Sequence, residues 1–217
     1  MTYVLVAVAA ILIGYLSGSV NYAIIITRLV KGVDIRKLGN LNPGTSNVMR
    51  EVGKPWGILV GTLDGLKGLI PIVLFRIFFF KEFTNPDFAI LYLIGIAAVL
   101  GHCKSIFLHF TGGGGIGTML GVSLFFVPIE FVFSLLLGGA IVLIFFKKAT
   151  FKFGQKTPIM FVAITPFLSL ITALLIDVPL FAHISIGGHL PTTVIGNFVM
   201  AFILLGMNLN LLRTKTR

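Results

Sequence analysis

The sequence predicts an all-α fold, a polytopic membrane bundle of about seven transmembrane helices. Three observations lead there: composition, the spacing of apolar runs, and the alternation of charge between them. Of 217 residues, 57% are hydrophobic and 11% charged, with a mean hydropathy of +1.05. A soluble domain is about 45–50% apolar and about 25% charged. This chain has too little polar surface to stand in water, so lipid must be its solvent.

A spanning helix needs about 20 largely apolar residues. Candidates run at roughly 3–28, 56–80, 87–103, 116–129, 131–147, 157–175 and 191–212. Met1 to Ile13 lack the basic flank and small-residue cleavage site of a signal peptide and are taken as part of the first span. The fourth and fifth candidates are short and separated by Pro128 and Glu130, which fits a tight hairpin or one bent element. No inverted repeat or broken helix is visible, which argues against a transporter. No linker divides the chain, so residues 1–217 are expected to form a single integral membrane domain.

Loop charges test the count. Lys31, Arg36, Lys37, Arg50 and Lys54 follow the first span and Lys104 follows the third. Lys147, Lys148, Lys152 and Lys156 follow the fifth, and Arg213, Lys215 and Arg217 close the chain. The alternate connections hold Lys81 with Glu82, Asp87, Glu130 and Asp177. Basic residues mark cytoplasmic loops, which sets the N-terminus outside and the C-terminus in the cytoplasm. The net charge of +10 is spread over these loops without an aromatic-interleaved patch, so anionic lipid head groups or an anionic substrate are expected partners and nucleic acid is not. Cys103 is the sole cysteine, which excludes a disulfide framework and a cysteine metal site.

The most unusual loop runs from Leu38 to Arg50 and sets Asn42, Gly44, Ser46 and Asn47 between glycines and a terminal arginine. Glycines let backbone N–H groups approach a ligand. Ser46 or Asn47 is expected to cap a short helix, and Arg50 could clamp a phosphate. The alternative is a cap-rich turn with Arg50 on the membrane surface. A second glycine run, Gly112, Gly113, Gly114 and Gly115, follows His102 and Lys104 and precedes an apolar helix. Such a helix start favours anions, although the Gly-Lys-Ser/Thr ending of a Walker loop is missing.

Asp64 and Lys67 share one face of the second span. They neutralise each other or line a substrate site. His102 is a candidate base, and His109 is too distant in sequence for i, i+4 metal ligation, so no metal is expected. His183 and His189 fall in a predicted outer loop. Asn208 and Asn210 lie near the inner end of the last span.

The chain resembles the PlsY family of bacterial membrane acyltransferases. Gly39, Asn42, Pro43, Gly44, Asn47 and Arg50 match its first motif, and Gly18-Ser19, Asp64, Lys67, Gly68, Gly101-His102 and Gly112 to Gly117 match further segments in order. The likeness runs over most of residues 10–120 and fades beyond 150. It implies a multi-pass protein of the bacterial inner membrane that works at the cytoplasmic face without a cofactor. The implied reaction moves an acyl group from acyl phosphate to glycerol 3-phosphate and makes lysophosphatidic acid. His102 would be catalytic. Asn42, Gly44, Ser46, Asn47, Arg50, Lys67, Lys104, Gly112 to Gly115 and Asn208 would bind substrate.

Departures from the family pattern define the alternative. Two family lysines of the glycine-rich motif are Thr111 and Gly114 here, a family serine is Asn40, a family proline is Ser105, and a histidine position falls on Leu205. Each charge-assisted hydrogen bond to a phosphate contributes roughly 1.5–3 kcal/mol, and about 1.4 kcal/mol is tenfold in rate. A relative that keeps the fold but binds a lipid or phosphate ligand, scaffolds a partner, or uses another acceptor is therefore the second reading.

Overall fold

The computed structural model describes residues 2–80, 85–145, 150–175 and 191–213. Lys81, Glu82, Lys147, Lys148, Asp177, His183, His189, Lys215 and Arg217, named above, lie outside them. The described residues form nine α-helices and two 3₁₀ turns, without a strand. In chain order these are α1 (Thr2–Ser19), α2 (Tyr22–Lys31), α3 (Thr45–Glu51), α4 (Lys54–Phe78), α5 (Asn85–Cys103), α6 (Ile116–Phe126), α7 (Pro128–Phe145), α8 (Thr150–Leu174) and α9 (Pro191–Arg213). Four described stretches are long and apolar enough to cross a membrane: Tyr3–Lys31, Lys54–Phe78, Pro86–Cys103 and Pro191–Asn208. Ile116–Phe126, Pro128–Ile144 and Ile159–Leu174 are shorter apolar helices. The fourth and fifth candidates are thus two helices, with Pro128 opening the second, where its missing N–H is harmless.

The first candidate span is broken, contrary to expectation. Asn21 leaves the helical region at φ −104, ψ 95, and its Oδ1 accepts from Ile24 N at 3.0 Å, capping α2. Asparagine is among the strongest N-cap residues, so one apolar run becomes two helices.

The chain divides into two compact units at Phe125/Phe126. In the first, α1 packs on α5 and α4 on α6 through small residues. A Cβ at Gly18 would stand 1.9 Å from Ala98 O, and one at Gly121 1.9 Å from Gly65 O. Between lipid-facing helices there is no hydrophobic drive, so association rests on this close backbone approach. Ala23, Ile24 and Ile26 of α2, Ile35, Val48 of α3 and Val60 of α4 form a buried cluster that fixes the first long loop beneath α2. In the second unit, α7 packs on α8 and α8 on α9.

Candidate functional site

Breaking a helix frees backbone groups that lipid cannot satisfy. Here other segments satisfy them. Ser105 Oγ donates to Ser19 O at 2.6 Å and Lys67 Nζ to Val20 O at 2.6 Å. Asn21 Nδ2 donates to Pro43 O at 3.2 Å. The break between α1 and α2 is therefore the point where α4, the Leu38–Gly44 loop and the loop after α5 are tied together.

The first loop is built around Asn47. This side chain is buried, with 1% exposure. Its Oδ1 accepts from Asn40 N at 3.2 Å, while Nδ2 donates to Leu38 O at 3.0 Å and Ile35 O at 3.4 Å. Gly39 sits at φ +55, where a Cβ would come 2.3 Å from Asn47 Oδ1. The loop closes on that amide. The α3 N-cap is Gly44, with no side-chain cap bond, so neither Ser46 nor Asn47 caps as expected. Both lie inside the helix, and the Asn47 amide turns back to the loop. Asn42 N donates to Asn40 Oδ1 at 3.2 Å. Ser46 and Arg50 are exposed on α3.

Upstream, Asp34 caps the first 3₁₀ turn and binds Arg36 Nη2 at 2.8 Å and Arg28 Nη2 at 2.7 Å. The Arg36 guanidinium, with help from Arg28, holds the Asp34 carboxyl well below the usual carboxylate range. Asp34 in turn raises Arg36. The Lys31 ammonium donates to Glu51 O and ties the end of α2 to the end of α3.

The second loop folds back on itself. Ser105 N donates to Thr111 O at 3.1 Å and Phe110 N to Ser105 O at 2.8 Å. The glycine run then passes over His102. Gly113 N donates to His102 O at 3.1 Å. A Cβ at Gly113 would lie 2.4 Å from His102 Nε2 and 2.9 Å from Pro43 O. The two loops therefore meet at Pro43 and Gly113, and α6 starts directly after the glycine run at Ile116.

Beneath this junction lies a buried polar network. Lys67 Nζ is 2.8 Å from Asp64 Oδ1, both side chains being nearly inaccessible. His102 Nδ1 is 3.2 Å from Thr118 Oγ1 and 3.6 Å from Asp64 Oδ1. Lys67 also lies over the Tyr22 ring, 5.7 Å from its centroid. The Lys67 ammonium is engaged by Asp64 and Val20 O. His102 is 4% exposed, with its ring between Thr118 and Gly113.

Of the expected site residues, Asn42, Gly44, Ser46, Asn47, Gly112 to Gly115 and His102 fall on or directly under the two joined loops. Arg50 follows on α3 and Lys104 is exposed at the start of the second loop, where its carbonyl accepts from Tyr15 OH at 2.7 Å. Asn208 belongs to the second unit, and its Nδ2 donates to Leu204 O at 2.8 Å. Sequence reasoning missed Asn21 and Thr118 and counted Ser105 only as a departure. An asparagine inside an apolar run was the available signal for the first. Nothing local signalled the others.

A family model described as glycerol-3-phosphate acyltransferase matches residues 8–214. A glycerol-3-phosphate acyltransferase of Legionella pneumophila strain Philadelphia 1 is 36% identical over 162 residues, covering 74% of this chain and 54% of the relative. One from Myxococcus xanthus is 42% identical over 121 residues, covering 55% of this chain and 60% of the relative. The chain thus spans little more than half the length of these curated relatives. A crystal structure of PlsY, an integral membrane glycerol 3-phosphate acyltransferase, in its glycerol 3-phosphate form superposes with a TM-score of 0.69 at 29% identity, covering 95% of this chain and 91% of that one. A second structure of that protein, in a lysophosphatidic acid form, gives 0.67 at 28%, covering 95% and 90%.

Proposed function

Since this chain belongs to the glycerol-3-phosphate acyltransferase family, we propose that it transfers an acyl group from acyl phosphate to a hydroxyl of glycerol 3-phosphate. The single observation that carries the proposal is the meeting of the Pro43–Arg50 segment and the Gly112–Gly115 run over the helix break. Two phosphate-friendly segments brought together suit a reaction between two phosphate-bearing molecules.

In the proposed reaction the hydroxyl oxygen bonds to the acyl carbon, and the bond from that carbon to the phosphate oxygen breaks. The hydroxyl proton leaves with inorganic phosphate, and lysophosphatidic acid is the other product. No enzyme-bound acyl group is needed. The protein's contribution is to hold both phosphates and stabilise charge developing at the carbonyl. Arg50 supplies a guanidinium, Ser46 and Asn42 supply side-chain contacts, and Lys104 supplies a second cation. Gly44, Gly112, Gly114 and Gly115 let backbone approach the phosphates, and the N-terminus of α6 favours an anion.

Asn47, His102 and Lys67 act as positioning residues in this proposal. The Asn47 amide is used to close the loop, Lys67 is held by Asp64, and the His102 ring is enclosed under Gly113. That enclosure is why His102 is not given the role of base. The working face is the cytoplasmic side of a bacterial inner membrane, from the basic loops on that side.

A second reading has its own observation. Thr111 donates its hydroxyl to Leu108 O at 2.6 Å and Gly114 has no side chain, so the two positions that carry lysine in the family supply no cation here. An acyl-transfer assay on purified protein, with acyl phosphate and labelled glycerol 3-phosphate, separates the readings. Turnover that disappears in Arg50→Ala supports the enzyme. Turnover only in Gly114→Lys supports a relative that kept the pocket and lost the reaction, and silence from all three folded proteins rejects this donor and acceptor.

A further inference from the structure

The second unit carries a buried polar column of its own. Gly138 of α7 abuts α8, where a Cβ would lie 3.2 Å from Met160 Cβ, and the Phe131 and Phe161 rings meet at 5.5 Å. The two helices run antiparallel from that contact. One and two turns toward the α7 N-terminus lie Ser134 and Glu130; one and two turns toward the α8 C-terminus lie Thr165 and Ser169. All four are buried, at 0%, 3%, 0% and 0% exposure.

Their chemistry is one-sided. Thr165 donates its hydroxyl to Phe161 O at 2.8 Å and Ser169 donates to Pro166 O at 2.8 Å. Their oxygens therefore offer only lone pairs to the interior. Among the described residues, neither carboxyl oxygen of Glu130 nor Ser134 Oγ has a hydrogen-bond partner. Pro166 has no N–H to give the Val162 carbonyl one turn earlier, and that residue is buried too. Among the described residues of this unit the lysines and arginines are Lys152 and Lys156, in the first two turns of α8, and Arg213, at the end of α9. From Glu130 to the end of α7 is about 22 Å at the helical rise of about 1.5 Å per residue. A buried carboxylate needs a positive partner, and among the described residues no side chain hydrogen-bonds to Glu130 to supply one.

We propose that Glu130, Ser134, Thr165, Ser169 and the Val162 carbonyl form a binding site for one dehydrated sodium ion. Hard oxygen donors select a hard cation, and a single carboxylate among neutral oxygens balances one positive charge. Freed helix carbonyls beside polar side chains are a recurring way of coordinating sodium in membranes.

Thermal unfolding of the full chain in detergent tests this, with sodium chloride replacing choline chloride at constant ionic strength. The melting temperature rises with sodium and saturates, as for any ligand that binds only the folded state. Glu130→Gln abolishes the rise, and Ser134→Ala shifts the half-effect concentration at least about tenfold upward. Ser134→Ala carries the comparison if Glu130→Gln does not fold. A parent protein indifferent to sodium overturns the proposal. An equal sodium response in the parent and both variants overturns it as well.

Discussion

Replacing Asn47 with alanine removes the side chain on which the first loop closes. Three hydrogen bonds are lost, to Asn40 N at 3.2 Å, Leu38 O at 3.0 Å and Ile35 O at 3.4 Å. Each contributes about 0.5–1.5 kcal/mol net, and the longest lies at the weak end, so the loop is destabilised by roughly 2–4 kcal/mol. If loop order sets where Arg50, Ser46 and Asn42 stand, kcat/KM for acyl transfer falls between about thirtyfold and about a thousandfold, at about 1.4 kcal/mol per factor of ten. The effect is local, because α1 and α5 pack without this loop. Limited proteolysis between residues 38 and 50 should therefore accelerate while cleavage elsewhere does not. Steady-state kinetics on Asn47→Ala beside the parent protein decides it. A kcat/KM within twofold of the parent, with an unchanged cleavage rate, would refute the assignment of Asn47 as the loop's organiser.

Other perturbations act on the same assembly. Lys67→Met leaves Asp64 and Val20 O buried without their cation, and removing one partner of a buried pair costs about 3–5 kcal/mol; adding Asp64→Asn should restore part of the melting temperature that the single variant loses. Gly113→Ala puts a methyl 2.4 Å from His102 Nε2 and 2.9 Å from Pro43 O, so the loops must separate. Its KM for glycerol 3-phosphate should rise while the melting temperature changes little. Asp34 has a folded pKa lowered by Arg36 and Arg28, so its contribution is fully present above the unfolded carboxylate value of about 3.9 and is lost as pH falls through the folded value. The stability advantage of the parent over Asp34→Asn should be constant from pH 5 to 8 and shrink only below about pH 4, as followed by thermal unfolding across that range.

The apolar helices were legible because lipid imposes a length and a composition on every segment that crosses it. The two glycine-bearing loops were legible as well, since few other contexts put such residues beside membrane helices. The break at Asn21 was hidden because its energetics are not local. One asparagine in an apolar run is tolerable only when Ser105, 86 residues beyond Ser19, and Lys67 cover the freed carbonyls. The same reasoning explains Ser105, which looked like a lost proline and proves to hold the second loop to the break. Asn47 and His102 carried polar side chains that suited a substrate equally well. Their burial and the hydrogen bonds that Asn47 makes to the loop arise from the folded chain, and no local sequence pattern displays them.

Binding of glycerol 3-phosphate to the purified protein, measured by calorimetry against glycerol as the uncharged control, tests the central claim of a phosphate site at the helix break most directly. The account predicts saturable binding of glycerol 3-phosphate, none of glycerol, and an affinity at least about tenfold weaker in Arg50→Ala, equivalent to about 1.4 kcal/mol. Equal binding of the two ligands, or an Arg50→Ala affinity equal to the parent's, would contradict it.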